Sequence, residues 1–132
     1  MNLEQLLSAR RMVRRYQSRP VEDDKLERIL QAGLRGPSAG HAQGVSWIVV
    51  SQPQRRAAIA RLAGEPDWVE RGYPPWLSQA PIHLVLCLEP ECYHERYAEP
   101  DKARACSSQQ WPVPYWFVDG GASLMLVLLA AV

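Results

Sequence analysis

The sequence predicts a single small domain of the α/β or α+β class. Its 132 residues are enough for one hydrophobic core but not for two. Two apolar runs, residues 45–51 and 82–88, have the length and composition of strands, and the second is continuous enough to be a buried central strand. Helical patterns surround both runs, in the order helix, helix, strand, helix, strand, helix. Two strands leave the sheet to be completed by further sequence or by another chain.

The helices are predicted from the spacing of their apolar residues and from the residues at their ends. Asn2 can cap the first helix, and acidic residues open the second, where the helix dipole favours negative charge. Gly36 and Pro37 end that second helix. Short helical turns are expected over residues 64–81, and irregular structure over residues 89–115. The predicted helices cover residues 3–12, 21–34, 53–63 and 117–132.

The last predicted helix is unusually apolar. From Ala122 to Val132 the only polar residue is Ser123. A transmembrane helix needs about twenty such residues, and this run is shorter and follows Asp119. We therefore predict a buried core or interface helix rather than a membrane span. Because the apolar pattern reaches Val132 without a glycine cap or a polar exit, we expect one domain over residues 1–132 that is incomplete at its C-terminal end.

Composition and cysteine content limit the classes of function. The formal net charge is +1, so the molecule as a whole has no charge excess for binding nucleic acid or a membrane surface. Cys87, Cys92 and Cys106 cannot all pair within one chain, and no signal peptide is evident, which predicts a reduced, cytoplasmic setting. The spacing of Cys92, His94 and Cys106 matches no common zinc pattern, so no metal site is predicted. His83 is interpreted as a structural strand residue.

Basic residues concentrate in one short segment. Within "SARRMVRRYQSRPV" four arginines occupy six positions, and Arg19 follows before a proline. Arg10 and Arg14 are four residues apart and can share one helical face. Arginine binds phosphate through planar, paired donors, so this cluster suits a terminal phosphomonoester, whereas nucleic acid would require basic residues spread over a face. The alternative is the solvated end of a helix.

A small-residue loop follows the second predicted helix. The segment "PSAGHAQ", residues 37–43, lets the backbone approach a ligand closely, and Ser38, His41 and Gln43 supply polar tips. It contains neither G-x-G-x-x-G nor G-x-x-x-x-G-K, so neither a Rossmann turn nor a P-loop is supported.

Taken together, these segments resemble the flavin-dependent nitroreductase family. Members of that family commonly open with R-R-S-x-R-x-[FY], followed by P-S-x-x-N-x-Q-P-W, a strand, and later a long central helix with a D-x-G-x-A type start. The matching stretches here are "RRMVRRY", "PSAGHAQGV" and "PYWFVDGGASLMLVLLAAV". The departures are Met12 for serine, His41 for asparagine, and Gly44 and Val45 for Pro-Trp. Trp47 is not expected to replace the missing aromatic.

The resemblance implies a fold, a cofactor and a site. The fold is a homodimeric α+β three-layer sandwich, with a central, mainly antiparallel sheet flanked by helices. FMN lies between the subunits; the arginines hold its phosphate and ribityl chain, and the loop comes from the neighbouring subunit. No residue is predicted to act as an acid or a base, and no metal is implied. The implied cofactor-binding residues are Arg10, Arg11, Met12, Arg14, Pro37, Ser38, Ala39, Gly40, His41 and Gln43.

The implied activity is a two-step, ping-pong oxidoreduction. NAD(P)H reduces the bound flavin, which then reduces a small acceptor such as a nitroaromatic or a quinone. Nucleic acid and membranes are not expected partners. Two alternatives stay within the same fold: a more specialised flavin reaction, such as flavin destruction or dehalogenation, and a non-catalytic flavin-binding protein. A third alternative is a protein that folds and dimerises without flavin.

Overall fold

The computed structural model describes residues 2–102 and 107–132 of the chain. Within these residues helices precede, separate and follow two strands, as the sequence predicts. Single-turn 3-10 helices lie at Ala39–His41, Pro100–Lys102 and Ser108–Gln110. The main elements are α1 (Leu3–Ala9), α2 (Asp23–Leu34), β1 (Val45–Val50), α3 (Pro53–Leu62), α4 (Glu65–Glu70), β2 (His83–Leu88), α5 (Pro90–Tyr97) and α6 (Tyr115–Ala130).

The two strands form an antiparallel pair. The backbone N–H of Glu89 donates to the carbonyl oxygen of Gly44 at 2.8 Å, which places the end of β2 beside the start of β1. Each strand has one neighbour within the described residues. The central position predicted for residues 82–88 is not seen within the described residues, where β2 pairs with β1, is only partly buried and exposes Val85.

The first helix is shorter than predicted, and this changes the placement of the arginines. Asn2 caps α1 as expected. The side chain of Asn2 accepts from the backbone N–H of Gln5, and the side chain of Gln5 accepts from the backbone N–H of Asn2. The helix ends at Ala9, because Arg10 turns to a ψ of 127° and leaves the helical region. Arg14 lies beyond it in a segment without regular structure, so a shared helical face for Arg10 and Arg14 is wrong.

The sequence prediction missed α5. Residues 89–115 were expected to be irregular, yet α5 begins immediately after β2. Pro90 stands at its first position, where the fixed φ of proline suits a helix and the missing N–H costs nothing. Tyr93 is the one fully buried side chain of α5, and the remaining residues are mostly polar, so the apolar period is weak.

The backbone contacts divide the chain into two compact units. The first contains the described residues within 1–10, 26–47 and 86–132, and the second contains residues 11–25 and 48–85. In the first unit α6 packs closely on α2. Ser123 donates to the carbonyl oxygen of Gly33 at 2.8 Å and accepts from the indole N–H of Trp47 at 3.0 Å. A Cβ at Gly33 would lie 2.7 Å from Val127, so this crossing requires glycine.

In the second unit a buried carboxylate anchors the long connection after α4. Glu65 accepts from the backbone N–H of Trp76 at 2.8 Å and of Ser78 at 3.1 Å. Burial by itself would raise the pKa of Glu65, but the hydrogen bonds from Ser78 and Trp76 outweigh it, and the pKa lies below its ordinary value. The guanidinium of Arg56 donates to the carbonyl oxygen of Ala80 and fixes the far end of the connection.

The apolar helix α6 is buried along one side only. Asp119, Gly120, Ser123 and Val127 form its buried side, whereas the side chain of Phe117 is 65% exposed. A helix in the core would be buried on all sides. The described part of the chain buries only one side of α6, so α6 is not a core helix within these residues. None of the helices in the described residues has both the length and the apolar character needed to cross a bilayer.

The carboxylate of Glu65 gives a test of the second unit. Glu65→Gln keeps one acceptor oxygen but removes the charge, so we expect the free energy of unfolding at pH 7 to fall by about 1 to 3 kcal/mol. Because the folded-state pKa is lowered, the charged form stabilises the fold above the unfolded-state pKa. That stabilisation is lost as the pH falls through the folded-state pKa.

Urea unfolding at neutral and acidic pH measures this effect, with Glu70→Gln on the exposed side of α4 as the control. The difference between wild type and Glu65→Gln should shrink at acidic pH. A difference that stays constant with pH would contradict the role of the charge.

Candidate functional site

The loop between α2 and β1 has an unusual backbone. Gly40, His41 and Gln43 all have positive φ angles, of 61°, 60° and 56°. For His41 and Gln43 this left-handed conformation is uncommon, costs on the order of 1 kcal/mol or more each, and occurs preferentially at functional sites. Ser38 accepts from the N–H of Gln43 at 2.7 Å and closes the loop. The side chains of His41 and Gln43 are exposed.

A buried carboxylate on α6 holds the start of this loop. Asp119 is 4% exposed, and its Oδ2 atom accepts from the backbone N–H of Ala39 and from the hydroxyl of Tyr93, each at 2.8 Å. Burial raises the pKa of the Tyr93 phenol, and the hydrogen bond to Asp119 raises it further. Tyr93 therefore stays protonated and keeps donating to Asp119.

Helix α5 holds the middle of the loop. The Nε atom of Arg96 donates to the carbonyl oxygen of Gly40 at 2.8 Å. The two terminal nitrogens of Arg96 bind Asp101 at 2.8 and 2.9 Å, and these hydrogen bonds lower the pKa of Asp101. A Cβ at Gly40 would lie 2.7 Å from the ring of Tyr97, so glycine is required here both by φ and by space.

The residues that support the loop were not predicted. Tyr93, Arg96 and Tyr97 lie on α5 at positions i, i+3 and i+4, which places them on one side of the helix. That spacing is the signal in the sequence that could have revealed them, had the segment been interpreted as helical.

One departure from the family pattern has a local explanation. Gly44 occupies the position of the family's proline, directly after the loop. A Cβ at Gly44 would lie 2.6 Å from the carbonyl oxygen of Glu89 and 2.6 Å from the ring of Tyr93. The buried Tyr93 ring therefore excludes a side chain at this position.

A cavity of about 470 Å³ opens beside the loop, a volume within the usual range for ligand pockets. The structure thus brings together four of the predicted site residues, Pro37, Ser38, His41 and Gln43. The indole N–H of Trp47 donates to the hydroxyl of Ser123. The cavity is lined by Gly33, Leu34, Arg35, Gly36, Pro37, Ser38, His41, Gln43, Val45 and Ser123.

The predicted phosphate-binding residues lie in the arginine segment. Arg10 is the C-cap of α1 and belongs to the first unit. Arg11, Met12 and Arg14 belong to the second unit, and all three are exposed. The guanidinium carbon of Arg14 lies 5.8 Å from the centroid of the Trp76 ring, within the range of a cation–π contact.

Two histidines make hydrogen bonds within the fold, and the zinc spacing considered above can be checked only in part. His94 shares a hydrogen bond of 2.7 Å between Nδ1 and the hydroxyl of Ser108, and Nε2 of His83 lies 2.7 Å from the carbonyl oxygen of Leu77. Cys106, the third residue of the spacing considered for zinc, lies outside the described residues. The residues that are described contain no group of three or more histidine, cysteine or acidic side chains suited to a metal.

Comparison with known proteins gives a consistent result. The sequence model described as the nitroreductase family matches residues 7–110. The chain is 32% identical over 83 residues to an FMN reductase of Bacillus subtilis, covering 63% of this chain and 30% of the relative. It is 38% identical over 77 residues to an NADH dehydrogenase of Thermus thermophilus, covering 58% of this chain and 34% of the relative.

Solved structures show the same similarity. NADPH:FMN oxidoreductase from Vibrio harveyi, complexed with NAD+, superimposes with a TM-score of 0.70 at 25% identity, over 97% of this chain and 50% of that chain. The predicted α+β class is thereby confirmed. The chain spans between 30% and 50% of the lengths of these three proteins.

Removal of the Asp119 carboxylate tests how the loop is held. Asp119→Ala leaves the Ala39 N–H and the Tyr93 hydroxyl without their acceptor, so we expect unfolding to become easier by about 2 to 4 kcal/mol. Asp119→Asn retains one acceptor oxygen and should lose roughly half as much.

Hydrogen exchange at the Ala39 amide gives the local measurement. Exchange should be faster in Asp119→Ala than in Asp119→Asn, and slowest in the unaltered chain. An Ala39 amide that is equally protected in all three would show that the carboxylate does not hold the loop.

Proposed function

Because the chain belongs to the nitroreductase family and has its α+β fold, we propose that it forms the flavin-binding part of an FMN-dependent NAD(P)H oxidoreductase. The cofactor is FMN, the reductant is NAD(P)H, and the acceptor is a small nitroaromatic, quinone or similar molecule. The observation that carries this proposal is the strained loop over residues 37–43, held by Asp119 and Arg96. The relatives named FMN reductase and NADPH:FMN oxidoreductase support the same chemistry.

The arginine segment fits the phosphate end of FMN. The guanidinium groups of Arg10, Arg11 and Arg14 can present planar pairs of N–H donors to phosphate oxygens. A phosphomonoester carries close to two negative charges near neutral pH, which two such arginines balance. Met12, whose side chain cannot donate, offers its backbone N–H in place of the family's serine hydroxyl.

The loop fits the flavin ring and ribityl chain. Its small residues, from Pro37 to Gly40, admit a planar ligand close to the backbone. His41 and Gln43 present exposed side chains with N–H donors, and Ser38 holds the backbone that carries them. When bound, FMN supplies the redox chemistry: it accepts a hydride from NAD(P)H and passes electrons to the acceptor. The chain binds and orients the cofactor, and His41 acts as a hydrogen-bond donor rather than as an acid or a base.

A homodimer completes the proposed site. The loop of one subunit serves the flavin whose phosphate the other subunit holds. The support within this chain is the apolar outer side of α6, where Phe117, Leu124 and Met125 are exposed. Burying such side chains stabilises an association by about 25 cal/mol per Å² of apolar surface. A second subunit would cover this surface.

Anaerobic reduction of bound flavin tests the proposed activity. The chain is incubated with FMN, freed of excess cofactor and titrated with NADH or NADPH in the absence of oxygen. We expect the visible absorption of the flavin to bleach, and to return when a quinone is added. The same loaded sample should sediment as a dimer at micromolar concentration.

Three other results would contradict parts of the proposal. Bound FMN that neither nicotinamide cofactor bleaches would indicate a flavin-binding protein without this activity. A chain that binds no FMN when the cofactor is in excess would be a flavin-free member of the family. A loaded monomer would contradict the shared site.

A further inference from the structure

The contact between Arg14 and Trp76 has a consequence for ligand binding. The guanidinium of Arg14 lies over the face of the Trp76 ring, at 5.8 Å from the centroid. The attraction acts between the positive charge of the guanidinium and the π face of the ring, so it uses none of the N–H donors that a phosphate would need. The contact therefore restrains Arg14 near Trp76 without engaging those donors.

The backbone of Trp76 is itself firmly held. Its N–H donates to the buried carboxylate of Glu65 at 2.8 Å, and the N–H of Ser78 donates to the same carboxylate at 3.1 Å. The Trp76 side chain is half-buried, whereas Arg14 is exposed in a segment without regular structure. Trp76 is therefore the partner whose backbone is anchored in this contact, and Arg14 is the partner that the contact can order.

A stacked pair of aromatic rings in the same unit provides a comparison. Trp68 and Tyr73 stack on each other, with centroids 4.2 Å apart. Trp68, which lies within α4, is also a partly exposed tryptophan of this unit, but its partner is another ring rather than an arginine.

We propose that Trp76 is a positioning residue for the phosphate of the cofactor, acting through Arg14. The inference rests on the proposed function, in which Arg14 binds the FMN phosphate. An exposed arginine loses side-chain freedom when it binds an anion, and a contact that orders it beforehand lowers that entropic cost. Glu65 contributes one step further away, because it fixes the backbone that carries the ring.

The experiment compares FMN with riboflavin, which has the same ring and ribityl chain but no phosphate. Dissociation constants for both ligands are measured by flavin fluorescence titration in the unaltered chain, Trp76→Leu, Trp76→Phe and the control Trp68→Leu. Trp76→Leu should weaken FMN binding by about twofold to fivefold and leave riboflavin binding unchanged. Trp76→Phe keeps a ring and should retain part of the effect, and Trp68→Leu should change neither constant.

A double-mutant cycle separates positioning from packing. In an Arg14→Ala background, Trp76→Leu should cause no further loss of FMN affinity, because the arginine through which the ring acts is gone. A loss of the same size with and without Arg14 would overturn the proposal. So would equal losses for FMN and riboflavin, since packing does not distinguish the two ligands.

Failure of the proposed function gives a different pattern. An unaltered chain that binds neither FMN nor riboflavin would contradict the proposed function, and the role of Trp76 with it. An unaltered chain that prefers FMN over riboflavin, with a preference that Trp76→Leu does not change, would contradict the role of Trp76 alone.

Discussion

The carboxylate of Asp119 is the interaction on which the rest of the first unit depends. One oxygen atom accepts two hydrogen bonds, from the loop through Ala39 and from α5 through Tyr93. It therefore joins the loop, α5 and α6 at one buried point. Without such an anchor, the left-handed backbone at His41 and Gln43 would relax toward more common conformations, because each costs free energy that the surrounding structure must supply.

The sequence predicted the local features of the candidate site but not its support. The arginine segment and the loop were found because their residues are adjacent in the chain, and α2 because its acidic first turn and Gly36-Pro37 mark both ends. The contacts of Asp119 join residues that lie 80 and 26 positions apart, and no local pattern contains them. The C-terminal end of α1 was misplaced because arginine is compatible with a helix, so only the backbone of Arg10 shows where it ends.

Small residues on α6 allow this apolar helix to bury the carboxylate of Asp119. Ser123 binds the Gly33 carbonyl, and Gly120 admits Leu88, whose side chain would lie 2.7 Å from an added Cβ. These close approaches leave Asp119 enclosed between α6 and its neighbours. The outer side of α6, with Phe117, stays exposed in the part of the chain that the structure describes, and it is the surface that the proposed dimer would cover.

The most direct test of this account is the flavin affinity of Tyr93→Phe, a variant that removes one of the two hydrogen bonds to Asp119 and keeps the packed ring. Because the loop is proposed to contact the ring and ribityl chain, FMN and riboflavin should both bind more weakly, by the same factor of about two to ten. The Ala39 amide should exchange faster at the same time. Flavin affinities that stay unchanged while Ala39 loses its protection would contradict the claim that the anchored loop binds the cofactor.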